Sequence, residues 1–264
     1  MSRQRGLALV SVLWGVAILS LIAAAMLSSS VTTAQLGHNA WNGARASAIA
    51  DEAVNRAVLS LLDDRLAHQP RVDGVPATYM RDGASVRLWI QDESGKVNVN
   101  FASAELLQGL FVSAGLARDD AGRLADTIVA RRPAAGFTGG SVAFHSLDEL
   151  LALSGMSRAL LARIEPVTTV YGRSTALNQQ VASRQALRAI PGMDEDAITL
   201  LLKTRDANRP APSGDDSTGA SLGIADSAFA ITVEVRLANA RLVRSAVVQF
   251  TGDETKPYLV MAWR

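Results

Sequence analysis

The chain has no cysteine in 264 residues. That excludes a disulfide framework, a thiol nucleophile and any thiolate metal site. A folded form outside the cytoplasm must then rest on its apolar core, helped by contacts with other chains or by a metal held without thiolates. Histidine is nearly as scarce. His38, His68 and His145 stand far apart, and none has the His-x-x-x-His spacing that sets two imidazoles on one helix face. No Gly-x-Ser-x-Gly elbow and no phosphate loop occurs. His145, Ser146 and Asp148 are neighbours in sequence, which seldom gives the geometry of a triad. Ser146 ahead of Leu147-Asp148-Glu149 reads better as a capping box. A dense Asp/Glu loop of calcium-binding type is missing, and Asp215-Asp216 sits in a Pro/Gly/Ser-rich linker where solvation is the simpler reading. Charge of one sign is also lacking: 26 Lys and Arg face 25 Asp and Glu, net +1, so no global field gathers nucleic acid or anionic lipid. These absences argue against an enzyme, and neither cofactor nor metal is expected.

What is present begins at the N-terminus. Arg3 and Arg5 lead into Gly6. Leu7 to Leu27 then carries no Lys, Arg, Asp or Glu, and its only hydroxyls are Ser11 and Ser20. As a helix this run is about 31 Å long, close to the thickness of a bilayer's hydrocarbon core. A short basic head, a glycine and a spanning helix form the arrangement of a prepilin-type signal, which is cut ahead of the apolar run. The arginines favour a cytoplasmic N-terminus, with the rest of the chain across the membrane. Two other readings stay open, an uncleaved plain anchor and a secretory signal cut near Ala23-Ala24-Ala25. The run is long for the second.

Past Leu27 the chain turns polar but stays rich in alanine. Ser28 to Ser30, Thr32, Thr33, Gly37 and Gly43 predict a softened helix between 28 and 43. Val54, Val58, Leu61, Leu62 and Leu66 then recur at helical spacing, with Asp51, Glu52, Asn55, Arg56, Asp63 and Arg65 on other faces. Pro70, Asp73-Gly74 and Pro76 close the helix. At the other end of the chain, Phe229, Ile231, Val233, Val235 and Leu237 alternate with Ala230, Thr232, Glu234 and Arg236, a half-buried strand. Asn239 marks a turn, Leu242 to Phe250 returns, and Tyr258 to Trp263 can add a third strand. Val86, Leu88 and Ile90 alternate likewise, and Lys96 to Asn100 suggests a second short strand beside them. An antiparallel sheet built from both ends, one face on the amphipathic helix, follows.

Residues 101–206 read as mostly helical. Ser103 is a candidate N-cap for a helix ending near Gly115, and Asp119 starts another that ends before Pro133. A loop with Gly136, Gly139 and Gly140 follows. An internal repeat comes next. Gly155 aligns with Gly192, which sets Leu150 on Leu187, Leu153 on Ile190, Met156 on Met193, Leu161 on Ile198 and Ile164 on Leu201. Ser157 and Asp194 coincide as N-caps. Each unit resembles a helix-hairpin-helix, in which a tight glycine turn joins two short helices. Such turns can hold a phosphate of DNA. Here both lack the second glycine, and Asp194 would put a carboxylate where the phosphate approaches. The segment also holds ten Arg and one Lys against eleven acids, a net charge of zero. A structural or protein-contact role is expected instead, with no nucleic-acid partner.

Taken together the chain resembles the minor pseudopilin K family of type II secretion systems. Arg5-Gly6-Leu7-Ala8-Leu9-Val10-Ser11 matches its anchor. Asp92, Gly95, Val97, Asn98, Val99 and Asn100 match its Asp-x-x-Gly-x-hydrophobic-Asn-hydrophobic-Asn pattern. Leu147 to Leu151, the Gly155 and Gly192 hairpins, and Asn178 also fit. Most pilins and pseudopilins have Glu at the fifth mature position, where this chain has Ser11. In the family picture that Glu neutralises the N-terminal amine of a neighbour already in the fibre. A tip subunit has no neighbour above and can dispense with the acid; the plainer reading is that Ser11 is a tolerated hydroxyl. Some members of the family carry calcium and a disulfide.

The resemblance implies cleavage between Gly6 and Leu7 by a prepilin peptidase and N-methylation of Leu7. It implies a tip complex with minor pseudopilins I and J, assembly of a pseudopilus that exports folded periplasmic proteins, and contact with secreted cargo. The expected fold is α+β, a pilin-like long N-terminal helix, transmembrane in its first half, packed on an antiparallel sheet with an inserted all-α domain. The expected layout is a leader at 1–6, a transmembrane segment at 7–27 and a helix stalk with first strands at 28–100. The inserted domain then spans 101–206, a linker 207–226 and the C-terminal strands 227–264. The protein would sit in the inner membrane, single-pass, with its bulk in the periplasm. A membrane-anchored DNA receptor and a type IV pilus minor pilin are the alternatives.

Overall fold

The computed structural model describes residues 3–63, 70–133, 142–207 and 227–264. Leu66, His68, the Gly136–Gly140 loop and Asp215-Asp216 lie outside the described residues, as does most of the expected linker. Helix α1 spans Arg3–Leu62. It runs through the expected soft region at 28–43 without a break. A Cβ on Gly37 or Gly43 would meet nothing within 4 Å, so neither glycine is required by a close neighbour.

Five strands form one antiparallel sheet in the order β1-β2-β5-β6-β7. They are β1 (Ala77–Arg81), β2 (Ala84–Asp92), β5 (Ala228–Leu237), β6 (Ala240–Phe250) and β7 (Tyr258–Trp263). Strand β1 is not foreseen in the sequence reading. Its hairpin turn is Asp82-Gly83, with φ of 47° and 79°, the backbone that a two-residue primed turn demands. The second hairpin turns at Ala238-Asn239, and Ala238 takes a φ of 51° without the freedom of glycine. Asn239 exchanges amide hydrogen bonds with Asn39 and Asn42, which ties this hairpin tip to α1.

The inward residues of β5 are those its alternation marks: Phe229, Ile231, Val233, Val235 and Leu237 are all buried. They pack with Val86, Ile90, Ala246 and Val248 against α1. The helix presents Ala46, Ala50, Ala53 and Ala57 alongside Val54, Val58 and Leu61, a seam of small side chains that brings the helix close to the sheet. Arg244 donates to Asp51 and to Ser47 from β6 and fixes the crossing.

The chain between β2 and β5 builds a second core. Helices α2 (Ala104–Ser113), α3 (Arg118–Ala130), α4 (Arg158–Ile164), α5 (Arg184–Leu187) and α6 (Glu195–Ala207) surround it, with a 3-10 segment at Leu147–Ala152. Leu107, Leu110, Phe111, Ile128, Leu150 and Leu187 are fully enclosed there. The short strand expected at 96–100 belongs to this unit and not to the large sheet. β3 (Val97–Asn98) pairs in parallel with β4 (Thr168–Thr169), and Val97 and Val99 are buried in the helical core. Ser103 caps α2 as expected, accepting from the Leu106 N–H. Helix α3 starts after Ala117 with no side-chain cap, and Asp119 and Asp120 act as first-turn charges instead. Among the described residues no helix is long and apolar enough to cross a membrane.

Ile231 lies at the centre of the sheet–helix core with no exposed surface. Ile231→Ala is expected to cost about 2–5 kcal/mol, whereas Val243→Ala on the exposed face should stay within about 0.5 kcal/mol. Urea unfolding monitored by circular dichroism measures both, and equal effects would contradict the assigned faces.

Candidate assembly and junction sites

Three groupings bear on function: the N-terminal helix, the junction between the two cores, and the outer face of the sheet. Gly6, Leu7 and Ser11 fall in the first turns of α1. Their side chains lie outside the described residues. From Val12 to Ile22 the large apolar side chains stand 49–73% exposed, and no other described element covers them.

The Asp92–Asn100 motif forms the junction. Asp92 ends β2 and caps a 3-10 turn over Glu93–Gly95, accepting from the Ser94 N–H at 2.8 Å. Burial pushes the Asp92 carboxyl above its ordinary value, while the Ser94 hydrogen bonds pull it down. Glu93 is buried and closes on Lys96 at 2.6 Å. Gly95 is obligatory, because a Cβ there would lie 2.8 Å from the Val181 carbonyl oxygen. Gln91 donates to that same oxygen, and Asn178 donates from its backbone and side chain to Ser94.

The two asparagines then act as internal staples. Asn98 donates to the Tyr171 and Gly172 carbonyls and accepts from the Asn100 N–H. Asn100 donates to the carbonyls of Phe144 and Val170 and accepts from the Phe144 N–H at 2.9 Å. One side chain thus satisfies three backbone groups of two separate loops. Arg132, unforeseen from the sequence, donates to the Val99 and Ala102 carbonyls, and burial lowers its pKa.

Three of the five aligned repeat pairs, Leu150/Leu187, Met156/Met193 and Leu161/Ile198, are buried to a like degree. Leu150 and Leu187 are both fully buried, and Leu161 and Ile198 are both buried. Two of the five pairs differ in depth: Leu153 and Ile164 are buried, whereas their counterparts Ile190 and Leu201 are only partly buried. Gly155 and Gly192 take φ of 91° and 79°. Ser157 accepts from the Leu160 N–H and Asp194 from the Ala197 N–H. The element ahead of each turn is short, a 3-10 segment in the first and four residues of α-helix in the second. Ser146 caps that 3-10 segment through the Asp148 N–H, while Glu149 reaches back to the N–H of His145. His145, Ser146 and Asp148 line a cleft of about 480 Å³ between the helical unit and the sheet. The Ser146 hydroxyl accepts from backbone there, and no triad forms.

On the face of the sheet away from α1, Glu234 of β5 is buried beneath three arginines. Arg236 and Arg241 each donate at 2.8 Å, and Arg87 lies at 3.8 Å. Those two donors hold the carboxyl below its usual range. Since the folded pKa is depressed, this contribution to stability is present above the ordinary carboxylate value. It is lost as pH falls through the lowered one. Arg87 also lies 5.0 Å over the Trp89 ring. Alternation marks Glu234 as outward-facing but does not reveal its burial.

Residues 97–167 match the family model described as Type II secretion system (T2SS), protein K. The fold matches a chain of the crystal structure of the GspK-GspI-GspJ complex from the enterotoxigenic Escherichia coli Type 2 Secretion System. The TM-score is 0.51 at 13% identity, covering 89% of this chain and 98% of that one. None of the curated proteins matches in sequence. The family match covers 71 of the 264 residues, and at 13% identity the structural likeness shows a shared fold.

Asn100→Ala leaves an N–H and two carbonyls without partners in a buried junction. The expected loss is about 2–3 kcal/mol or more, with faster amide exchange at Phe144. Denaturant unfolding and hydrogen exchange measure it. A loss under about 0.5 kcal/mol would contradict the stapling role.

Proposed function

We propose that this chain is a non-enzymatic minor pseudopilin anchored in the inner membrane, which assembles with minor pseudopilins I and J at the tip of a pseudopilus. The observation that carries this reading is the division of α1. Its second half is sealed against the chain's own sheet, whereas its first half shows large apolar side chains that the described residues leave uncovered. A monomer cannot keep such a surface in water, so lipid or a bundle of like helices must cover it. The described apolar stretch from Val12 to Ala24 is only about 20 Å long and falls short of a bilayer. The span therefore rests on the sequence of 7–27, whose residues 7–11, 25 and 27 have side chains outside the described set.

In this reading a prepilin peptidase cuts between Gly6 and Leu7 and Leu7 is N-methylated. Ser11 stands where the usual Glu would salt-bridge a subunit above, consistent with a subunit that caps. The helical unit, inserted between β2 and β5, adds bulk that would obstruct further stacking. Its N-capped glycine turns act as packing elements. Asp194 already supplies a carboxylate to the start of α6, which disfavours a phosphate there and with it the DNA-receptor reading.

N-terminal mass spectrometry of the protein extracted from membranes tests the assignment. The expected chain begins at methylated Leu7. A chain beginning beyond Ala25 would overturn it.

A further inference from the structure

We infer that the part of the outer sheet face nearest the N-terminal half of α1 is a docking surface for an acidic segment of a partner minor pseudopilin. This rests on the functional reading above. The sheet has two faces, and α1 covers one of them. The helical unit stands over the outer face near Ala230, Thr232, Ser245 and Val247, where the cleft lies. Nothing in the described chain packs over the other end of that face. There the cross-strand partners Arg87, Glu234 and Val243 form one row, and Arg236 pairs with Arg241 in the next.

The chemistry of this face is that of an unfilled interface. Arg87, Arg236 and Arg241 share one buried carboxylate, so two positive charges are left over. The three guanidiniums remain 42–66% exposed, held in place by Glu234 and by the Trp89 ring. Ordered arginines beside a tryptophan ring and an exposed valine make a surface already arranged for binding, because little side-chain freedom is left to lose. The excess charge selects a carboxylate-bearing partner, which a guanidinium can grip with two parallel hydrogen bonds.

Position selects the partner among acidic ligands. The Asp82-Gly83 and Ala238-Asn239 hairpin tips border this end of the sheet. They touch α1 at Arg45 and at Asn39 and Asn42, on the side toward the apolar half of the helix. A subunit whose own apolar helix lies beside that half presents its head at this level. Lipid headgroups sit further along the axis, since Met26 and Asn42 are separated by about 24 Å of helix.

Val243 is 52% exposed and takes no part in the arginine hydrogen bonds, so a charge can be introduced there without removing any donor or acceptor of the cluster. The full-length chain in detergent, wild type, Val243→Glu or Val243→Lys, is titrated against purified minor pseudopilins I and J at low and high salt. Val243→Glu should weaken binding to one of them about tenfold or more, Val243→Lys should match or exceed wild type, and wild-type affinity should fall with salt. If wild type binds and both variants bind as wild type, or both lose binding equally, this inference fails while the functional reading stands. If Val243→Glu loses affinity only for anionic vesicles, the face is a lipid contact and the inference fails. A chain that binds neither pseudopilin overturns the functional reading and this inference with it.

Discussion

Everything in this structure depends on the burial of one half of α1 against β5 and β6. The alanine seam from Ala46 to Ala57 lets the helix sit close to the sheet, and Val54, Val58 and Leu61 fill the space that remains. Without cysteine there is no covalent alternative. The same helix continues for more than 40 residues toward its N-terminus, carrying apolar side chains that no other described part of the chain covers. A helix sealed at one end and bare at the other must have its second environment supplied from outside. That constraint, more than any pocket or polar cluster, directs the functional reading toward assembly.

The second core would be a separate small domain were it not for the junction. Gln91, Asn98, Asn100 and Asn178 bind the loops at 142–145 and 170–182 to the end of β2 mostly through side-chain amides and backbone groups, and Gly95 allows the close approach. Such bonds are costly to leave half made in a buried setting, so the arrangement is selective for one geometry. The helical unit is therefore held at a defined place beside the sheet, and the cleft beneath it is a consequence of that placement. The arginine cluster around Glu234 occupies what the unit leaves open.

Much of this was legible in the residues. Alternation on 229–237 identified the buried face of β5, and 3.6-residue spacing identified Val54, Val58 and Leu61. The glycine-anchored repeat placed Leu150 and Leu187 in equivalent buried positions. Other features were legible only in part. The 96–100 segment carries an alternating signal that cannot say which sheet it joins, and its pairing with Thr168–Thr169 is a long-range choice. Strand β1 is five residues with an arginine and no apolar run, and only Asp82-Gly83 marks it, through turn chemistry. The softened helix expected at 28–43 rests on intrinsic propensity, and α1 is continuous through it. Glu234 reads as a surface acid because alternation reports direction and not depth. The roles proposed for Gly6, Leu7 and Ser11 come from the resemblance and not from residue patterning.

The family likeness and the physical reading meet on the same molecule. A matched segment at 97–167 sits in the helical unit, and 89% of the chain shares the fold of a chain from the GspK-GspI-GspJ complex. The most direct test of the central claim is alkaline carbonate extraction of membranes from cells making the full chain. If the uncovered half of α1 resides in lipid, the protein stays in the membrane pellet after washing. Release of the intact chain into the supernatant would contradict the account at its root.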